Sequence, residues 1–590
     1  MAACLFCTLG LLQSPALAVD AGAPVARDDA KTVSAKDSSV RIYLAREVIT
    51  MNPDQPAAEA VAVSGETILG VGSKEEMLAL AGDDRRALDH RYADNVMLPG
   101  FIEQHIHPIL SAITLSSEII SIEEWDLPDG SVYPAVRDRN SYLKRLAQVE
   151  AGMAKADELL LSWGFHHYFH GRLTRRDLDA ISATRPIIIW HRSAHEFVLN
   201  SAALHKVDLN PATSPNTLPG ASELARSQID LEAGHFWEAG AFDFLLPKLL
   251  PLIIGDLKKG LELTEQYLHR AGVTTAAEPG GLSAFYAAQI AVLGDADTPL
   301  RFYFIPDGRA LAVTHDGQAL LSATQNLAPA NPGSTTFLPK QVKLFADGAI
   351  FSQLMQMRDG YLDGHHGEWM MEEGVFNRAF STYWDAGYQI HVHQNGDLGL
   401  DRVITALREN MQRKPREDHR TTIVHFGFAT PEQVEQLAAL GAIVSANPYY
   451  VTALADKYSE IGIGPKRARE MVRLADVVEQ GMSLSLHSDM PMAPAKPLYL
   501  MWAAVNRTTF SGQVAASGLA LSVEQALQAV TLSAAYSLRL ENDIGSIEPG
   551  KRADFTVLEQ SPFRVPRAEI KNIAVIATVS DGHDFPVPQQ

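Results

Sequence analysis

The chain has 590 residues, 46% of them apolar and 20% charged, with a formal charge of −20. That length exceeds one ordinary domain and suits a large barrel with additions. The acidic balance leaves no basic surplus to meet phosphates and so argues against a general nucleic-acid binder.

Residues Ala2 to Leu12 are mostly apolar, and Pro15-Ala16-Leu17-Ala18 offers a small-residue cleavage site before Val19. Residues 1–18 therefore read as a secretory signal peptide, although no Lys or Arg precedes Arg27. The expected location is periplasmic or secreted, or cytoplasmic if this segment is no signal. Both cysteines, Cys4 and Cys7, fall inside it, so the mature chain would carry no disulfide. Residues 19–37, rich in Ala, Asp and Lys, read as a flexible leader. No later run is long enough to span a bilayer.

Short strands follow in VRIYLAREVITM and AVAVSGETILGVG, within residues 38–98. A matching group, IGSIEPGKRADFTVLEQSP and IKNIAVIATVSDG, fills residues 541–590. Strand clusters at both ends predict a small β-sandwich built from the two termini, flanking a central domain over residues 99–540.

That domain opens on MLPGFIEQHIHP, Met97 to Pro108. In an extended strand, residues two apart share a face, so His105 and His107 can grip one ion. Neutral imidazole is a common zinc ligand. From Gly272 onward GVTTAAEP, RFYFIP, QVKLFADG, YQIHVHQNGD, TTIVHFGF, AIVSANP and SLSLHSD read as strands. Between most of them lie helical runs such as PEQVEQLAALG and NRAFSTYWDAG, each stopped by Gly. With the opening strand these make eight βα units, which predicts an α/β fold of the (β/α)8 TIM-barrel type with its site at the C-terminal strand ends. About 160 residues separate the first two strands, too many for one loop. An inserted subdomain over about residues 112–265 is expected above the barrel mouth.

Polar residues punctuate the strand ends. Lys343 sits in an otherwise apolar strand, where a buried ammonium is costly. Carbamylated by carbon dioxide, it would be an anionic ligand able to bridge two cations; Lys340 is the alternative but precedes the apolar core of the strand. His391 and His393 share a face, and the strand-end position favours His393 as ligand. His425 follows a β-branched run, and Asp489 ends the last strand with His487 on its face. A His-x-His, a Lys, two further His and an Asp thus end strands one, four, five, six and eight in order.

That order resembles the amidohydrolase superfamily, and within it amidohydrolase family 3, the branch that includes N-substituted formamide deformylase. The resemblance spans roughly residues 40–580 and rests on LPGFIEQHIH, RSAHEFVLNSAAL, GVTT, VKLFADG, HVHQNGD, IVHFGFAT, SANP, HSDMP and GSIEPGKRADFTVLE. It implies a barrel holding one or two divalent ions, most often zinc. The implied ligands are His105, His107, Lys343 as its carbamate, His393, His425 and Asp489. Glu103-Gln104 and Asn395 depart from the family pattern, which bears on the substrate more than on the metal.

The function expected from this set is hydrolysis of a C–N bond in an amide, cyclic amide or formamide by metal-bound hydroxide, with Asp489 as the proton carrier. His195, Trp237 and Tyr449 are candidates for binding a small-molecule substrate, and a homo-oligomer is open. An esterase or phosphotriesterase-like hydrolase, an isomerase or decarboxylase on the same scaffold, and a non-catalytic metal-binding protein are the competing readings.

Overall fold

The computed structural model describes residues 40–588 except 83, 156, 296 and 329–334. The expected signal peptide and leader lie outside the described residues.

Strands from the two ends of the chain pair with one another. Arg41–Ile49, Ala57–Ser64, Thr67–Gly72 and Val96–Pro99 join Phe555–Leu558, Val575–Ser580 and His583–Pro586, with a short strand at Leu88–Asp89 beside the first. The joint is the antiparallel register of Leu98 on Thr556. Two packed layers were expected, but the hydrogen bonding runs through one eight-stranded sheet. Alternation still divides it into two faces. Tyr43, Val61, Val63, Met97, Phe555 and Val557 pack on one, and Ile42, Leu44, Ala60, Ala62 and Met77 on the other.

Among the described residues, the central region outside its insertion contains nine parallel strands: β1 (Phe101–Glu103), β2 (Val273–Pro279), β3 (Arg301–Ile305), β4 (Thr335–Phe337), β5 (Gln341–Phe345), β6 (Gln389–Gln394), β7 (Thr422–His425), β8 (Ile443–Ala446) and β9 (Leu484–Leu486). They form two sheets, ordered β4-β3-β2-β1 and β5-β6-β7-β8-β9. All eight expected strands are present. β4 is additional, a three-residue strand beside β3 too short to carry a periodic signal. One closed ring was expected, and the strand pairing gives two separate sheets. Backbone hydrogen bonds nevertheless join their ends. Lys343 N–H donates to Pro306 O at 2.9 Å, Asp489 N–H to His105 O at 3.1 Å, and His107 N–H to Met490 O at 2.9 Å.

Strands β2, β6 and β7 are buried along their whole length, which is why they read as apolar runs rather than alternating ones. Helices cover them. Pro431–Ala439 starts with a Thr430/Gln433 capping box and gives way to Gly441 at φ +74°. Leu257–Arg270 buries Leu261, Thr264 and Leu268 and lies against Pro108–Leu115. A Cβ on Gly260 would stand 2.7 Å from Ala112 O, so that approach needs glycine.

Between β1 and β2 a mixed six-stranded sheet is inserted. Its order is Ile229–Asp230, His235–Trp237, Glu196–Leu199, Ile187–His191, Leu160–Phe165 and Glu118–Ile119.

Candidate metal centre

The expected reason for pairing His105 with His107 is corrected by the backbone. β1 stops at Glu103, and His107 is the N-cap of Pro108–Leu115. The two rings are therefore not neighbours on one strand face. They stand edge to face, 5.3 Å apart at 87°, in the turn between strand and helix. Pro108 takes the first helical position, where its fixed φ suits the start of a helix and its missing N–H costs no bond.

Both rings converge on Asp489. His105 Nε2 lies 3.4 Å and His107 Nε2 3.3 Å from Asp489 Oδ1, and His425 Nδ1 lies 3.5 Å from Oδ2. These separations exceed good hydrogen bonds. They match the edge of a tetrahedron of ligands each about 2.0–2.1 Å from a shared zinc ion, roughly 3.3–3.4 Å. Asp489 Oδ1 and Lys343 Nζ are buried without a hydrogen-bond partner, and so is Glu278 Oε2. A buried carboxylate oxygen and amine left in this state fit a cation-holding site. His105, His107 and Asp489 each bring a ligand atom within 4.8 Å of the others.

The remaining candidates surround this core. The His393 ring is 4.4 Å from that of His425, but its Nε2 accepts from Asn395 Nδ2 at 2.9 Å. Lys343 is buried in β5, and its positive charge acts on His105, His393, His425 and His487. His391 is turned away: its Nε2 pairs with Gln341 Oε1 at 2.9 Å. His195 Nδ1 meets Glu238 Oε2 at 2.7 Å, with its ring 5.8 Å from that of His393. Tyr449 donates its hydroxyl to Glu123 at 3.0 Å, and Trp237 stacks on His235.

Sequence reading missed Glu278 and Ser445. Glu278, near the end of β2, has Oε1 3.9 Å from His107 Nδ1; an acid at a strand end was the available signal. Ser445 Oγ contacts His487 Nδ1 at 2.8 Å, and His487 Nε2 lies 3.2 Å from His425 Nδ1. A serine inside an apolar strand carries no comparable signal.

Burial sets the electrostatics. It holds His105 and His425 well below the ordinary imidazole range, helped by Lys343 and the neighbouring rings. It also lowers Lys343 to about 7 and raises Glu103 to about 8. His107 goes the other way. Burial alone would lower it, but Asp489 and Glu278 lift it to about 9. In the ion-free chain a proton on His107 thus supplies positive charge beside the two carboxylates. His425 at φ +74° and Asp489 at φ +62° both occupy left-handed backbone, which non-glycine residues seldom adopt. Such strain clusters at functional sites.

Residues 93–583 match the model of an amidohydrolase family. N-substituted formamide deformylase of Arthrobacter pascens is 23% identical, the match covering 91% of this chain and 96% of that protein. YtcJ of Bacillus subtilis strain 168, an amidohydrolase by name, is also 23% identical, over 91% of this chain and 97% of its own. A metal-dependent hydrolase structure from Pyrococcus horikoshii superposes with a TM-score of 0.66 at 19% identity, covering 90% of this chain and 99% of that one.

Proposed function

Because the chain belongs to the amidohydrolase family, we propose that it is a metal-dependent hydrolase of a C–N bond in an open amide, cyclic amide or formamide. The convergence of His105, His107 and His425 on the carboxylate of Asp489 carries this reading. The name of the deformylase relative supports the formamide class. The two parallel sheets are taken as arcs of one (β/α)8 barrel, a reading supported by the bonds from Lys343 to Pro306 and from Asp489 to His105.

His105, His107, His393, His425 and Asp489 would hold one or two divalent ions, zinc first among them, with Lys343 joining as a carbamate. When bound, such an ion lowers the pKa of water toward about 7 and polarises a carbonyl. Lys343, lowered to about 7, is substantially an uncharged amine near neutrality. That form attacks carbon dioxide, making an N–C bond and releasing one proton. Asp489 takes the proton of the attacking water and returns it to the leaving nitrogen. His425 is held between Asp489 and His487, and His487 in turn by Ser445. Asn395 orients His393. Glu238 fixes the His195 ring beside His393, where it can meet the substrate.

The test is metal-loaded protein offered N-substituted formamides, cyclic amides, esters and phosphotriesters in 18O-labelled water. Metal-dependent release of amine, with one label in the acid product, is expected. Turnover confined to esters or phosphotriesters, or product without label, would overturn the reading.

A further inference from the structure

Three more histidines meet in the inserted sheet. His166 follows the strand Leu160–Phe165, His167 opens the short helix His167–His170, and His191 ends the strand Ile187–His191. The two strands are parallel, with Phe165 opposite His191. All three imidazoles therefore gather at the C-terminal ends of two adjacent strands inside the sheet. Their ring centroids form a nearly equilateral triangle, 5.4 Å from His166 to His167, 5.4 Å from His166 to His191 and 5.5 Å from His167 to His191. The spacing of His105 and His107 is 5.3 Å. One nitrogen from each of the three lies within 4.8 Å of the others.

His166 and His191 are almost wholly buried, and Nε2 of each has no hydrogen-bond partner. A buried polar atom without a partner is costly, and two in one cluster fit a bound ion. Glu196 adds a third: its Oε1 is unpartnered and 3.8 Å from His191 Nδ1, while its Oε2 bonds His235 Nε2 at 2.7 Å. A cavity of about 440 Å³ opens on the cluster. His167, His191, Glu196, His235 and Trp237 line it; His105, His107 and Asp489 do not.

We propose that His166, His167 and His191 form a further binding site for a divalent cation of the zinc, copper, nickel or cobalt class, with Glu196 balancing its charge. Imidazole selects these ions, whereas magnesium and calcium require oxygen ligands. Three protein ligands would leave a coordination position open, as in catalytic rather than structural sites, and two of them, His167 and His191, line the cavity. For Nε2 of His166 and of His191 to bind an ion, the ring proton of each would sit on Nδ1. At His191, Ser193 Oγ stands 3.0 Å from Nδ1 and can accept that proton, in place of the donation from Ser193 N–H. At His166 the long 3.2 Å contact from Tyr168 N–H is given up. The site rests on none of the residues assigned to hydrolysis.

The test uses the full chain, stripped with a chelator, saturated with zinc and desalted. Plasma mass spectrometry should find one equivalent less zinc in the His166→Gln/His191→Gln variant than in wild type. It should find that equivalent retained in a His105→Asn/His107→Asn variant. An anomalous map of zinc-saturated wild-type crystals at the zinc edge should place a peak among the three rings. Equal zinc in folded wild type and His166→Gln/His191→Gln, or no peak there, overturns the proposal. Should the double variant fail to fold, the wild-type map decides alone.

Discussion

Asp489→Asn separates charge from shape at the centre of the site. The carboxylate faces three imidazoles at 3.3–3.5 Å. In the ion-free protein it is the nearer of the two acids acting on His107, Glu278 being 3.9 Å away. Together they raise His107 from 6.5 to about 9 against burial. That difference is on the order of 3 kcal/mol. With Asp489 neutral, one distant carboxylate must offset the same burial, so His107 should titrate below pH 7. In the metal-loaded protein, loss of the proton carrier should slow hydrolysis by about 10²–10⁴, or roughly 2.7–5.4 kcal/mol in the barrier. NMR of 13C-labelled histidine follows the first quantity; kcat/KM on an N-substituted formamide at matched metal content follows the second. A variant that hydrolyses within threefold of wild type, or whose His107 still titrates near 9, refutes the reasoning.

Metal affinity should rise with pH. His107 must shed its proton to ligate, so between pH 7 and 9 the apparent affinity gains about tenfold per unit and then levels; a chelator competition, corrected for the chelator's own protonation, reads the slope. The same proton stabilises the ion-free fold. Because His107 is raised on folding, its contribution is full below pH 6.5 and is lost as pH climbs through 9; thermal unfolding of stripped protein should show that decline, and its absence would remove His107 from the linkage. Lys343→Ala should lose more than about 10² in turnover, given the anionic ligand assigned to it, with partial recovery in added propionate. Labelling the wild type with 13C-bicarbonate should yield a carbamate signal that this variant lacks. His391→Ala should leave turnover within about threefold but cost about 1–3 kcal/mol of stability by stranding Gln341 Oε1, as urea unfolding would measure.

Much of the architecture was legible because strands leave a local imprint. Buried parallel strands must be apolar along both faces, and VTTAAEP, QIHVHQ and TIVH each interrupt that pattern only where a polar group is placed. Helix stops such as Gly441 and Gly387 are equally local, since φ near +75° favours glycine. The strand orientation of His105 and His107 was misread for the same reason. Nothing in FIEQHIHP says that pairing ends at Glu103, because strand length is set by the neighbour available to bond.

The order of the polar residues at or just beyond the strands, from His105 to Asp489, and the likeness to one enzyme family, follow from the sequence by itself. Tertiary structure alone decided which of those groups meet. It brought Asp489 to His105 across 384 positions, turned His391 toward Gln341, and drew His166, His167 and His191 into one triangle. The physical reason is that side-chain periodicity specifies a face, whereas convergence depends on how separate strands are laid side by side, and that is fixed by packing summed over the whole core.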